Sequence, residues 1–465
     1  MDTAKHLISN IRNVFQSQDS SLKIGIPLLF IFLIILFFSM STWYKNKYGK
    51  YRSKQDSIDT LLELRRQKLG EIDKFAANDV SVSSNLYSKL SPYTQIKENG
   101  TALLNWRPLT VRIAGYLGGE ITQRDGVFDM VKGIQLALHL GARAFVFEID
   151  YLDTTPCEPV VINRDGSGIM RSLHTAPISV GMNTLNQYAF SSNYDPVLVI
   201  LYLRRKPEGA VQSDLYFKAI ATALDPLTMY HLGSTEQGNF HNCRSESNLF
   251  TSKITNFQKK FIVLCNYNTN LLKNTPNPKD NLDFWVNARL YLDESGNSSS
   301  LGTVTSTVPT GQIAYAQVGA TSQLLMIPDS EKSNYKEKAS NTFKIGLSTT
   351  DYIFTVTQMS ILLNTLGIQC VPIDVLRHGE ATCHINTIIT KSSSPDLVAL
   401  SNPSNANDIL SFWTYAGWSR KNIIEGFVNP VPVSVPIPGF IIPDTVTPKK
   451  PHPSMNSNGG LVSIR

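Results

Sequence analysis

From Ile24 to Tyr44 the chain runs through 21 positions without a charged residue. Its centre, Leu28 to Phe38, is made of large apolar side chains alone. At 1.5 Å per residue such a helix is about 30 Å long, the thickness of a bilayer core. A helix that is apolar all round cannot lie on the surface of a soluble domain. Trp43 and Tyr44 fall where an interfacial aromatic belt would lie. Pro27 stands near the helix start, where proline is tolerated. The stretch Phe38 to Thr42 makes a poor signal-peptidase site, so the segment reads as a retained single transmembrane helix over 24–44.

Charge sets the expected orientation. Lys5, Arg12 and Lys23 precede the span, with Asp2 and Asp19 among them. Lys45, Lys47, Lys50, Arg52 and Lys54 follow it with no acid between. The positive-inside rule therefore puts the large C-terminal part on the cytosolic side. Sequons at Asn99 and Asn297 argue the other way. The basic run also suits contact with anionic lipid head groups. The formal net charge of +6 is spread over 465 residues, so no nucleic-acid partner is implied. Five cysteines, an odd number with no CxxC pair, argue against a disulfide scaffold and leave room for at most one or two bridges.

The remainder divides by texture. Residues 1–23 form an N-terminal tail. Within 45–108, Ile58, Leu61, Leu62, Leu69, Ile72 and Phe75 give 53–77 a helical seam, read as a stalk or a short self-associating helix, and 78–107 is a polar linker. From 109 to 428 apolar strands alternate with helices. Strands are expected at 109–113, 143–150, 159–162, 196–203, 260–265 and 368–373. Helices are expected at 126–140, 180–190, 214–224, 356–366 and 408–416. Strands apolar on both faces, alternating with helices, predict a parallel α/β sheet, as an open sheet or a barrel. Residues 233–256 and 294–345, rich in Ser, Thr, Asn and Gly, read as long loops or an inserted β element. Residues 429–465 carry eight prolines and form an extended tail.

Several segments resemble the catalytic X region of phosphatidylinositol-specific phospholipase C. Gly141-Ala-Arg143 followed by Glu148-Ile-Asp150 is similar to the family's G-C-R-x-x-E-L-D. Glu158 to Ile162 resembles the strand before its second catalytic histidine. Leu185 to Phe190 and Tyr194 to Leu201 are similar to D-Y-A-F-x-x-S-x-Y-P-V-I-L-S-L. Tyr116 to Glu120, Lys253 to Leu264 and Leu366 to Val371 add weaker matches in the same order. The resemblance implies a distorted (β/α)8, TIM-type barrel, with any site at the C-terminal ends of its strands. The texture also resembles degenerate barrels of this kind encoded by large DNA viruses, which suggests a virion membrane or capsid-associated role.

The chemistry is where this chain departs from the family. The resemblance implies a histidine that takes the proton of an inositol hydroxyl, a second histidine at the leaving side, and a Ca²⁺ held by oxygen ligands. The first histidine and its Asn neighbour fall at Ile113 and Ala114. The second histidine falls at Asn163, and a Glu ligand at Tyr202. Ile and Ala can neither transfer a proton nor bind a hard cation, and Asn does not titrate near neutrality. Glu148 and Asp150 remain as weak metal candidates, against the plainer reading of polar residues ending a strand. His174, in a loop longer than the family's, is the one catalytic candidate if the loop has shifted.

Other constellations are weaker. Cys370, His378, Cys383 and His384 match no zinc spacing. The short Gly turns lack the Lys of a P-loop. The aromatic run Phe412 to Trp418 reads as helix core and cap. The sequence therefore predicts a membrane-anchored, catalytically degenerate barrel, more scaffold than enzyme, contacting protein partners through its loops and tail. No cofactor is expected. The rival class is an active phosphodiesterase on phosphoinositide or glycerophosphodiester substrates, working with Glu148, Asp150 and a shifted His174, and only that reading calls for calcium.

Overall fold

The computed structural model describes residues 29–45, 54–64, 102–117, 126–139, 141–152, 156–164, 168–191, 193–233, 246–269, 277–293, 314–339, 341–347, 354–374 and 417–421. The chain divides into two compact units, Met1–Lys68 and Leu69–Arg465. In the first, residues 29–45 and 54–64 are helical. Leu29 to Phe38 stay 44–71% exposed, so this apolar helix buries little of its surface within its own unit. Residues 24–28 of the expected span lie outside the described residues. Among the described residues no helix is long and apolar enough to cross a membrane.

The second unit is a mixed α/β fold. Its strands are β1 Trp106–Pro108, β2 Thr110–Arg112, β3 Tyr116–Leu117, β4 Val127–Phe128, β5 Ala144–Tyr151, β6 Pro159–Val161, β7 Ala176–Pro177, β8 Val197–Leu203, β9 Phe261–Cys265, β10 Ala288–Leu292, β11 Tyr315–Ala320, β12 Thr342–Leu347 and β13 Trp418–Arg420. The sheet runs β12-β11-β10-β9-β8-β5, with β2 also on β5 and the antiparallel pair β6-β7 on β5's C-terminal end. From β2 through β12 all the neighbouring pairs in this series are parallel. The strand path stays open between β12 and β2. There single parallel bridges join Ile345 to Cys370 and Ile373 to Val111. The expected barrel is thus met at the coarser level of a mixed α/β fold with a sheet of parallel strands.

The residues explain the arrangement. β8, Val-Leu-Val-Ile-Leu-Tyr-Leu, is buried at all seven positions, as a strand covered on both faces must be. Alternate residues serve two layers. Ala144, Val146, Leu198, Ile200, Ile262, Leu264, Leu290, Val318, Phe343 and Ile345 share one core cluster on the inner face. On the outer face Phe147 meets the helix Ile178–Tyr188, where Gly181 permits the approach: a Cβ there would lie 2.8 Å from the Phe147 ring. Each fully buried large side chain contributes about 1.5–3 kcal/mol.

Three sequence readings are corrected. The stretch 294–345 holds β11, most of β12 and the helix Asp329–Lys338, not an inserted element. Its strands carry small or polar residues (Ala316, Gln317, Gly319, Lys344) that hide the apolar run. Residues 233–256 include the helix Glu246–Thr251, with Leu249 and Phe250 buried. Leu103, Leu104 and Trp106, placed by texture in the linker, are buried in the core cluster. β1 pairs antiparallel with β13, so the two ends of the domain are tied together. The helix expected at 408–416 and the tail 429–465 lie outside the described residues.

Candidate functional site

Parallel strands of this fold class present their chemistry at the C-terminal ends. At that end of β5 stand Glu148 and Asp150, both fully buried. Period-two alternation sends them to the same inner face as Ala144 and Val146. Burying two carboxylates side by side would be prohibitive without counter-charge. Four arginines supply it. Arg112, the last residue of β2, donates from Nε to Glu148 Oε1 at 2.9 Å. Arg204, just past β8, donates from Nη1 to Glu148 Oε2 at 2.8 Å. Arg164 donates from Nε to Asp150 Oδ2 at 2.6 Å, and Arg205 from Nε to Asp150 Oδ1 at 2.8 Å.

The partners of these arginines lock the geometry further. Arg112 Nη2 donates to Asn163 Oδ1 at 3.0 Å. Arg164 Nη1 donates to the Gly168 carbonyl at 2.9 Å. Arg205 Nη2 donates to the Tyr151 carbonyl at 2.9 Å, and its guanidinium lies 4.5 Å from the Tyr151 ring centroid. The Tyr151 N–H also donates to Asp150 Oδ1 at 2.7 Å. Burial pushes the Glu148 carboxyl up, but Arg112 and Arg204 outweigh it and hold its pKa below the ordinary range. Every carboxylate oxygen of the pair accepts from a guanidinium.

The sequence-derived positions gather around this knot. Ile113 and Ala114 follow β2 and are buried. Ile113 has φ +41°, a strained value for a β-branched residue, in the turn that leads to Gly115. Asn163 serves as an acceptor for Arg112. Tyr202 pairs in register with Glu148 across β5 and β8. Burial pushes its phenol up to about 12, so it stays neutral. His174 lies against β4: its Nε2 is 3.2 Å from the Phe128 carbonyl and its ring stands edge-on to Phe128. Cys370 is buried beside Thr110, and burial pushes its thiol up to about 12. His378, Cys383 and His384 lie outside the described residues. Among the described residues no group of three or more His, Cys, Asp or Glu is placed to hold a metal.

The arginines escaped the sequence reading, although a signal existed. Arg112 and the Arg204-Arg205 pair sit just at the C-terminal ends of apolar strands, the positions from which this fold class builds its sites.

No family model matches the chain, and no curated protein matches it. Among solved structures it is similar to PLC21 of L. pealei, at 11% identity and a TM-score of 0.43, over 70% of this chain and 38% of that one. It is also similar to the calcium-dependent phosphoinositol-specific phospholipase C of a Pseudomonas species, at 9% identity and a TM-score of 0.36, over 62% of this chain and 94% of that one. A third likeness is to the phosphatidylinositol-specific phospholipase C of Listeria monocytogenes, at 12% identity and a TM-score of 0.30, over 63% and 94%. The chain thus spans well under half the length of PLC21.

Proposed function

We infer that this protein is a membrane-anchored barrel of phospholipase-C type that has given up catalysis and serves as a binding or structural module. In this reading the bridges through Cys370 and Ile373 complete a ring of eight parallel segments. The single observation that carries it is the arginine knot: Glu148 and Asp150 spend their oxygens on Arg112, Arg204, Arg164 and Arg205. Internal guanidiniums then do the electrostatic work that a divalent cation would do between the same carboxylates. Ile113 and Asn163 at the resemblance's histidine positions add no proton carrier. The uncharged stretch 24–44 anchors the chain, with the barrel on the cytosolic side and a virion membrane as its setting.

The test is release of water-soluble inositol phosphate from phosphatidylinositol, with and without Ca²⁺. No turnover is expected, because loss of one general acid or base alone typically costs about 10² to 10⁴-fold. Turnover that disappears in His174→Ala would overturn the reading and establish the enzyme. For the anchor, a chain lacking residues 1–52 is expected to stay out of neutral liposomes, and its flotation with them would refute the assignment.

A further inference from the structure

At the opposite, N-terminal end of the sheet, the strap formed by β1 and β13 sits beside a buried acid. Trp418, the first residue of β13, belongs to the core cluster, and its Nε1 donates to the Pro196 carbonyl at 3.0 Å. Gly417, just before it, packs on the Arg143 side chain, and its carbonyl accepts from the Leu109 N–H at 2.9 Å. Asp195 directly precedes Pro196. Its N–H donates to Asn193 Oδ1 at 2.8 Å, an Asx turn that carries the carboxyl inward. Asp195 is buried, and its Oδ2 accepts no hydrogen bond.

The charged groups around Asp195 come from two elements among the described residues. Arg143, at the head of β5, acts on it as a cation, while its Nη1 donates to the Ala189 carbonyl at 2.7 Å. Lys259 and Lys260 precede β9. The Lys259 ammonium lies 3.9 Å from the Tyr194 ring centroid, and the Lys260 carbonyl accepts from the Val197 N–H at 3.0 Å. The helix Ile178–Tyr188 adds Tyr188 as its one titratable residue, and Gly417-Trp418-Ser419 adds none. A buried carboxylate with an unsatisfied oxygen favours its neutral form. Burial raises the Asp195 pKa to about 6, against the smaller effects of Arg143 and Asn193.

We propose that Asp195 is a proton-operated latch on the strap: with its proton on, β13 stays seated, and when the proton leaves to solvent the strap opens more readily. The physical reason is local. Trp418 is held by the carbonyl of the residue next to Asp195, and Gly417 by the side chain of Arg143. Lifting those two residues admits water to the stranded carboxylate and returns it to its ordinary pKa of 3.8. Opening is therefore linked to the loss of one proton, and the strap is tighter in acid than near neutrality. The latch lies at the end of the sheet away from Glu148 and Asp150 and does not depend on whether that end is catalytic.

The experiment is hydrogen exchange of the full chain in non-ionic detergent at about pH 4.5 and about pH 7, read as protection factors. The Leu109 amide and residues 417–421 report the strap, and β8 reports the centre of the sheet. Strap protection is expected to fall by about 20-fold from the lower to the higher pH, with β8 better protected than the strap at both. In Asp195→Asn the strap should keep the same protection at the two pH values. Asp195→Ser removes the same proton and serves if the amide is not accepted. An unchanged wild-type strap, or a pH response that survives removal of the carboxyl, would overturn the proposal. Strap and β8 exchanging at one common rate would overturn it too, since the strap would then open only with the whole domain.

Discussion

Arg112 Nε and Glu148 Oε1 lie 2.9 Å apart, both side chains buried, and join two neighbouring parallel strands at the end where the fold class keeps its chemistry. An ion pair of this kind is expensive to break from one side, because the remaining charge is stranded. Glu148→Gln is expected to destabilise the domain by about 3–5 kcal/mol in urea unfolding. The folded-state pKa of Glu148 is lowered, so its contribution is present above the ordinary carboxylate range and lost as pH falls through the lowered value. The acid limb of the stability curve should therefore flatten in Glu148→Gln. An unchanged limb would show that the pair contributes little.

Asp195 gives the opposite sign. It is 2% exposed, and burial pushes its carboxyl up to about 6, against the smaller opposing effects of Arg143 and Asn193. Between the ordinary 3.8 and 6 the folded chain holds this proton more tightly than the unfolded chain. Stability should fall as pH rises through that window and stay lowered above it. Asp195→Asn is expected to remove the slope and to gain about 1–3 kcal/mol at pH 7. A loss of stability at pH 7 would mean that the carboxylate is paired and valuable.

Gly417 seals the strap. A Cβ at that position would lie 2.6 Å from both the Arg143 Cγ and the Gly141 carbonyl. The Gly417 carbonyl meanwhile accepts from the Leu109 N–H at 2.9 Å. Gly417→Ala should cost about 1–3 kcal/mol by overpacking and speed hydrogen exchange at Leu109. Wild-type exchange in the variant would show that the backbone can give way.

Lys421 predicts an alkaline slope. Its pKa falls from the ordinary 10.5 to about 7 on folding. Between those values the unfolded chain binds more protons, so stability should rise with pH from 7 to 10.5 and be flat below 7. Lys421→Met should lose that slope. A slope that survives Lys421→Met would assign it to other groups.

Periodicity and local chemistry made a large part of this fold legible. The uncharged stretch 24–44 is visible by inspection. β5, β8 and β9 announce themselves as short apolar runs, and their parallel pairing follows from being apolar on both faces. Glu148 and Asp150 could be placed at a strand end because two polar residues there break such a run. β11 and β12 could not be seen. Gln317 and Lys344 are tolerable in buried strands only because Lys344 reaches Gln317 and Asp293, contacts made across 27 and 51 residues. The same holds at the candidate site. Nothing near Glu148 in the sequence says that it is neutralised, since Arg112 lies 36 residues before it and Arg204 56 after it. Residue types and spacing along the chain determined which strands form and where polar groups end them. Only the tertiary structure decided the charge state of that strand end, because Coulomb energy depends on distance in space, and the sheet alone brings four guanidiniums to two buried carboxylates.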